Sequence, residues 1–197
     1  MTSEKKLSQN PKLVAEMNKQ LKKLEQVIEN MDEKRGGIFL EWLHNQNKYL
    51  VWEENFNPIR LKKYKRGEIV LAHFGFNVGS EYGGMHYAVV VKKDKKSNPI
   101  LNVVPLSSLK EGQTSADLHS DEVYLGSIDG LNEKEAIAIL NQMRPISKIR
   151  IFKPRLSTDA LVLLSDMQLD AIDEKISLMY TKKKTFEGKT EKTKENT

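Results

Sequence analysis

The chain contains no cysteine. Disulfides and thiolate metal ligands are therefore excluded, and nothing in the composition calls for an oxidising compartment. Histidine is scarce as well, at positions 44, 73, 86 and 119 only, and no two of these stand at the HExxH spacing by which a helix presents a zinc pair. No apolar run approaches the roughly 18 residues that a membrane span needs. The start, Met1-Thr2-Ser3-Glu4-Lys5-Lys6, leads into a polar segment that lacks the apolar core of a secretion signal. These absences point to a cytoplasmic protein with no membrane partner. Glycine and proline number 11 and 6, so a place where glycines cluster carries information.

What is present fits a soluble chain, 39% hydrophobic and 30% charged, long enough at 197 residues for one buried domain and an appendage. The net charge of +5 is unevenly spread: residues 1–60 carry 10 basic and 9 acidic side chains, whereas residues 181–197 carry 6 and 3. Two acid-free basic clusters lie between, Lys62-Lys63-Tyr64-Lys65-Arg66 and the stretch 144–155, with Arg144, Lys148, Arg150, Lys153 and Arg155. Either is a candidate hold for phosphate or an ordinary solvated face.

From about Pro11 to Met31 the apolar residues Val14, Met17, Leu21, Leu24, Ile28 and Met31 recur in steps of three and four. This is the spacing of a coiled-coil seam, and so short a helix needs a partner, either its own copy or the next segment. Gly36-Gly37 is expected to end it. Ile38 to about Glu54 then reads as a second helix presenting Phe39, Trp42, Leu43, Gln46, Tyr49 and Leu50, so that residues 1–60 form an N-terminal helical hairpin. From Tyr64 the period becomes that of strands, at 68–74, 86–92, 100–106, 121–125 and 136–142, with a basic strand or turn at 146–152. Short strands so closely spaced predict an antiparallel barrel or strongly curved sheet. Ser157-Thr158-Asp159 offers caps for a last helix bearing Leu161, Leu164, Met167, Leu169, Ile172, Ile176 and Met179. Residues 183–197 read as a disordered basic tail.

The stretch Gly79-Ser80-Glu81-Tyr82-Gly83-Gly84-Met85-His86 places three glycines, a carboxylate and an imidazole between two strands. Glycine permits φ > 0 and close approach of a ligand to the backbone, so this is either a hairpin turn with solvated polar residues or a loop built for contact. His44 and His73 sit within regular elements and read as structural; His119 lies in the loop 107–120. Trp42 and Trp52 read as the packing face of the hairpin.

Several segments, in order, settle what the loop resembles. Arg66-Gly67-Glu68-Ile69-Val70, then Val78-Gly79-Ser80-Glu81-Tyr82-Gly83-Gly84 and a valine strand, resemble the opening of the PemK/MazF toxin endoribonucleases. Asn102 to Ser108, Asp121-Glu122-Val123-Tyr124-Leu125 and Leu140-Asn141-Gln142-Met143-Arg144-Pro145-Ile146 are similar to three later segments of that family. The resemblance spans about residues 64–180, and residues 61–182 are taken as the domain that carries it.

The resemblance implies an α+β fold, a small SH3-like antiparallel β-barrel with a C-terminal helix, usually a homodimer. It also implies cleavage of single-stranded RNA by 2′-OH attack, with no metal or other cofactor, and neutralisation by a cognate antitoxin. Carried over by position, the catalytic residues are His86 and Ser107, with Glu81 assisting, and Gly83, Gly84, Ser108, Gln142 and Arg144 contact substrate. One departure stands out: His86-Tyr87 replaces the family's Arg-Pro. Arginine is a fixed cation that holds phosphate, whereas histidine exchanges protons near neutral pH. Either His86 is itself the acid or base, with Arg144 supplying charge, or catalysis is lost and only a binding face remains, as in CcdB-like barrels that bind a protein target or nucleic acid.

Overall fold

Asn10 and Pro11 form a helix start: a side-chain acceptor followed by a residue whose missing N–H costs nothing in the first turn. In the computed structural model, which describes residues 5–153 and 161–181, Asn10 Oδ1 accepts the amides of Lys12 and Leu13 at 3.1 and 3.3 Å and opens α1 (Pro11–Glu29). Asp32 caps α2 (Glu33–Glu53) by accepting the Arg35 amide at 3.0 Å. The chain therefore breaks at Asn30-Met31-Asp32, and the expectation that Gly36-Gly37 ends the first helix is corrected. Both glycines lie inside α2, because the Asp32 cap starts that helix ahead of them. Gly36 is buried, with Met31 Cβ 3.7 Å from where its own Cβ would stand.

The chain divides into two compact units, one of the described residues up to Phe56 together with His73–Met85, the other of Asn57–Ala72 and the described residues from His86 onward. In the first, α2 supplies an aromatic face. Phe39 is buried, with its ring centroid 5.1 Å from that of Trp42 and 5.0 Å, edge-on, from that of Phe76. The Tyr49 hydroxyl lies 3.1 Å from His73 Nδ1, so His73 is a satisfied, buried histidine, as expected. Helix α1 buries none of its residues, and Leu21 stays 55% exposed.

The strands are β1 (Ile69–Gly75), β2 (Gly84–Val90), β3 (Ile100–Ser108), β4 (Glu122–Ile128), β5 (Asn132–Ile139), β6 (Arg144–Ser147) and β7 (Ile151–Lys153). They pair in the order β4-β5-β3-β2-β1-β7, and β6 adds to β3. Among the described residues no ladder joins β4 to β7, so the barrel-type sheet has seven antiparallel strands and two ends not hydrogen-bonded to each other. In the second unit Ile69, Val89, Val104, Leu106, Leu125 and Ala138 share a core with Leu164 and with Ile172 of α3 (Asp166–Tyr180). Each Val, Leu or Ile of this set contributes about 1.5–3 kcal/mol by its burial. Ser165 caps α3 through a capping box with Gln168. The cap candidates 157–159 and the tail 183–197 lie outside the described residues.

Much of the basic character of the two acid-free clusters is used internally. Lys62 Nζ is 2.5 Å from Glu68 Oε1, both side chains nearly buried, and Arg66 pairs with Asp173 of α3 while its Nε donates to Val91 O at 2.9 Å. Lys148 is fully buried and donates to Asp94 Oδ2 at 2.8 Å. These three cations are paired with carboxylates of the fold, so neither reading of the clusters, a hold for phosphate or an ordinary solvated face, describes them.

Candidate active site

The glycine loop lies in the first unit, and its glycines serve two needs, space at Gly83 and a positive φ at Gly79 and Gly84. An added Cβ at Gly83 would stand 2.7 Å from Gly75 O, inside any tolerable contact, and Gly79 has φ +60°. Asn77 fastens the turn from within, its Nδ2 donating to Phe74 O at 3.2 Å and to Tyr82 O at 2.7 Å. The Phe74 and Tyr82 rings meet edge-on at 6.0 Å. Glu81 is exposed on this turn, followed by Gly83 and by Gly84, which begins β2 with φ +79°. The predicted residues Glu81, Gly83 and Gly84 thus belong to a single self-braced loop.

The other predicted residues belong to the second unit, and strand register arranges them. β2 and β3 pair Ala88 with Pro105, Val89 with Val104 and Val90 with Val103. The last pair of this register toward the glycine loop is Ala88–Pro105. Continued two residues, the same register sets His86 across from Ser107. On the other edge of β3, Ser107 pairs with Ile137 of β5, and Ile137 pairs with Tyr124 of β4. Directly paired residues point to one face of a sheet, so His86, Ser107, Ile137 and Tyr124 form a row across four strands. It lies on the face opposite Val104 and Leu106, which point into the core.

Arg144 pairs with Val103, on the same face as Ser107 but four residues along β3. At strand rise this is about 13 Å from Ser107. Ser108 pairs with Ala136 and so belongs to the other face, exposed at the strand end. Gln142 sits half-buried in the 3₁₀ turn Leu140–Gln142 that leads from β5 toward β6. Extended by two residues, the register sets His86 beside Ser107; as observed it keeps Arg144 on the face of Ser107 at a distance and turns Ser108 away.

Tyr124 enters this row without having been singled out from the sequence. Its hydroxyl donates to Glu135 Oε1 at 2.5 Å, and this hydrogen bond, ahead of burial and the carboxylate's charge, raises its pKa above the usual 10.0. The register slips between Tyr124 and Gly126, a β-bulge at which Gly126 takes φ +66°. The available signal was an aromatic residue two before a glycine in a strand, Tyr124-Leu125-Gly126. His119, by contrast, is spent locally: its Nδ1 accepts the Asp121 amide at 3.3 Å. Among the described residues no three His, Asp or Glu side chains gather as a metal-binding group, and no helix is long and apolar enough to cross a membrane.

Comparison with known proteins covers the same stretch. Residues 65–180 match the family described as PemK-like, MazF-like toxin of type II toxin-antitoxin system. The endoribonuclease EndoA of Bacillus subtilis (strain 168) is 26% identical over 117 residues, 58% of this chain and 91% of that protein. Among solved structures, MazF from Deinococcus radiodurans is 17% identical with a TM-score of 0.44, covering 59% of this chain and 96% of its own. An endoribonuclease in complex with its cognate antitoxin from a mycobacterial species is 12% identical with a TM-score of 0.40, covering 58% and 92%.

Proposed function

The chain belongs to the family of PemK-like, MazF-like toxins of type II toxin-antitoxin systems, and from that premise we propose that it is an endoribonuclease cutting single-stranded RNA. What supports the proposal is the β2–β3 register, Ala88–Pro105 to Val90–Val103, which extended by two residues sets His86 across from Ser107. Cleavage by the substrate's own 2′-OH forms a bond from that oxygen to the adjacent phosphorus and breaks the bond from phosphorus to the 5′ oxygen. One group must take the 2′ proton, one must protonate the leaving oxygen, and donors must meet the charge on the phosphoryl oxygens.

Histidine suits the proton steps, since its ordinary pKa of about 6.5 lets it act at neutral pH. The Ser107 hydroxyl, one strand away, is placed to donate to a phosphoryl oxygen of the scissile group. Arg144, about 13 Å off by register, suits a further phosphate of the same strand, so the charge at the cut falls to the imidazolium formed when neutral His86 takes the 2′ proton, which it then delivers to the leaving 5′ oxygen. All reacting atoms come from the RNA and from side chains, so no cofactor enters the scheme. A homodimer is the proposed working form, and a small antitoxin covering the His86 and Ser107 face is the proposed partner.

Purified protein incubated with a mixed RNA pool and EDTA, followed by mapping of new 5′ ends, tests this directly. His86→Ala and Ser107→Ala are each expected to lower the rate by about 10²–10⁴-fold, the usual contribution of a positioned acid or base. RNA left intact by the folded wild-type protein, free of antitoxin, would overturn the proposal and favour the non-catalytic alternative.

A further inference from the structure

The row across the sheet ends in an aromatic side chain that the cleavage step does not use. Tyr124 is 38% exposed, yet it is not loose. The three atoms nearest an added Cβ at Gly126 all belong to it, Cε1 and the hydroxyl oxygen at 3.8 Å and Cζ at 3.9 Å, so the ring leans along the strand over the glycine. Its far end is pinned by the 2.5 Å hydrogen bond to Glu135. The bulge between Tyr124 and Gly126 turns the strand so that this is possible. A ring held at its tip and seated over a glycine keeps its accessible surface in one orientation, which is what a stacking surface requires.

Position supplies the ligand. Two strand spacings, about 10 Å, separate Tyr124 from Ser107, a distance that a neighbouring nucleotide of an extended single strand bridges. His86 stands on the opposite side of Ser107 in the same row. We propose that Tyr124, braced by Glu135 over Gly126, is a nucleobase-stacking subsite that holds a base next to the cleaved phosphate and contributes to sequence preference. This inference rests on the ribonuclease activity proposed above and names a substrate contact for the same face.

The subsite acts on binding and alignment of RNA, so its test separates KM from kcat. Cleavage of a randomised single-stranded RNA pool is followed for the wild type, Tyr124→Ala, Tyr124→Phe and Glu135→Ala, with cut-site preferences read by sequencing and the fold checked by thermal denaturation. Tyr124→Ala is expected to lose about tenfold in kcat/KM, mostly as a rise in KM, in line with the removal of one base stack. It should also flatten the base preference at one position beside the cut. Tyr124→Phe keeps the ring and should stay within about threefold of wild type, while Glu135→Ala, which unpins it, falls between. A wild-type enzyme that cuts, alongside a folded Tyr124→Ala with unchanged KM and unchanged preference, overturns the subsite alone. No cutting by the wild type overturns the ribonuclease proposal and the subsite with it.

Discussion

At the scale of single residues, the positions that look alike in sequence do different physical work. Gly79, Gly83 and Gly84 read as one permissive cluster, but Gly83 is constrained by space: its missing Cβ would lie 2.7 Å from the Gly75 carbonyl oxygen. Gly83→Ala is therefore expected to push the loop apart and to destabilise the protein by about 1–3 kcal/mol, the range of overpacked sites. Chemical denaturation measures this, and an unchanged midpoint would show that the loop yields freely. Gly79→Ala meets nothing within 4 Å and strains only φ, so its cost is expected to be smaller, about 1 kcal/mol. The proposed site residues from Glu81 to Arg144 could be named one by one, because the ordered segments number them. Their mutual placement could not be read, since the row from His86 to Tyr124 depends on pairings between residues far apart in sequence. The same is true of the buried Lys148–Asp94 pair and of Tyr49 on His73. A lysine in a basic stretch carries no mark of the aspartate that will bury it.

At the scale of elements, strands were more legible than helix ends. Aliphatic runs bounded by polar turns announced β1 to β5 within a few residues, since each of these strands buries part of its length. The helix boundary was misplaced because glycine's breaking tendency is weak beside a capping aspartate: Asp32 starts α2, and Gly36 and Gly37 are carried along inside it. Helix α1 keeps the seam its spacing predicted, but no residue of it is buried. Its a positions are Val14, Leu21 and Ile28 and its d positions Met17 and Leu24, with Met31 just past its end, a mix of β-branched a and unbranched or Leu d residues that favours parallel pairs of helices. The flanking e and g positions, Leu13, Asn18, Gln20, Glu25 and Val27, place no like charges opposite one another in such a pair. A second copy of the chain is thus the expected partner. Leu21→Glu combined with Leu24→Glu should raise the dimer dissociation constant at least tenfold by sedimentation equilibrium. Sedimentation identical to wild type would place the dimer contact elsewhere.

At the scale of the whole molecule, charge distribution separates two ways of holding RNA. Three of the central cations, Lys62, Arg66 and Lys148, are tied to carboxylates of the fold and have little to offer a phosphate. The last stretch, residues 182–197, carries six lysines against three glutamates, so removing it takes the formal charge from +5 to +2. Each phosphate neutralised on a single strand contributes about 0.7 to the slope of log affinity against log salt. If the tail supplies the long-range attraction and the sheet face supplies the contacts that position the cut, ending the chain at Thr181 should flatten that slope by as much as about 4. The site preference should remain intact, since charge that meets only phosphates adds affinity without reading bases. Fluorescence anisotropy of a labelled RNA across a salt series, paired with cut-site mapping of the shortened protein, measures both quantities on one sample. A slope that does not change would mean that the attraction comes from the sheet domain, with Arg144 and the exposed Lys63 and Lys65 as the cations to substitute next.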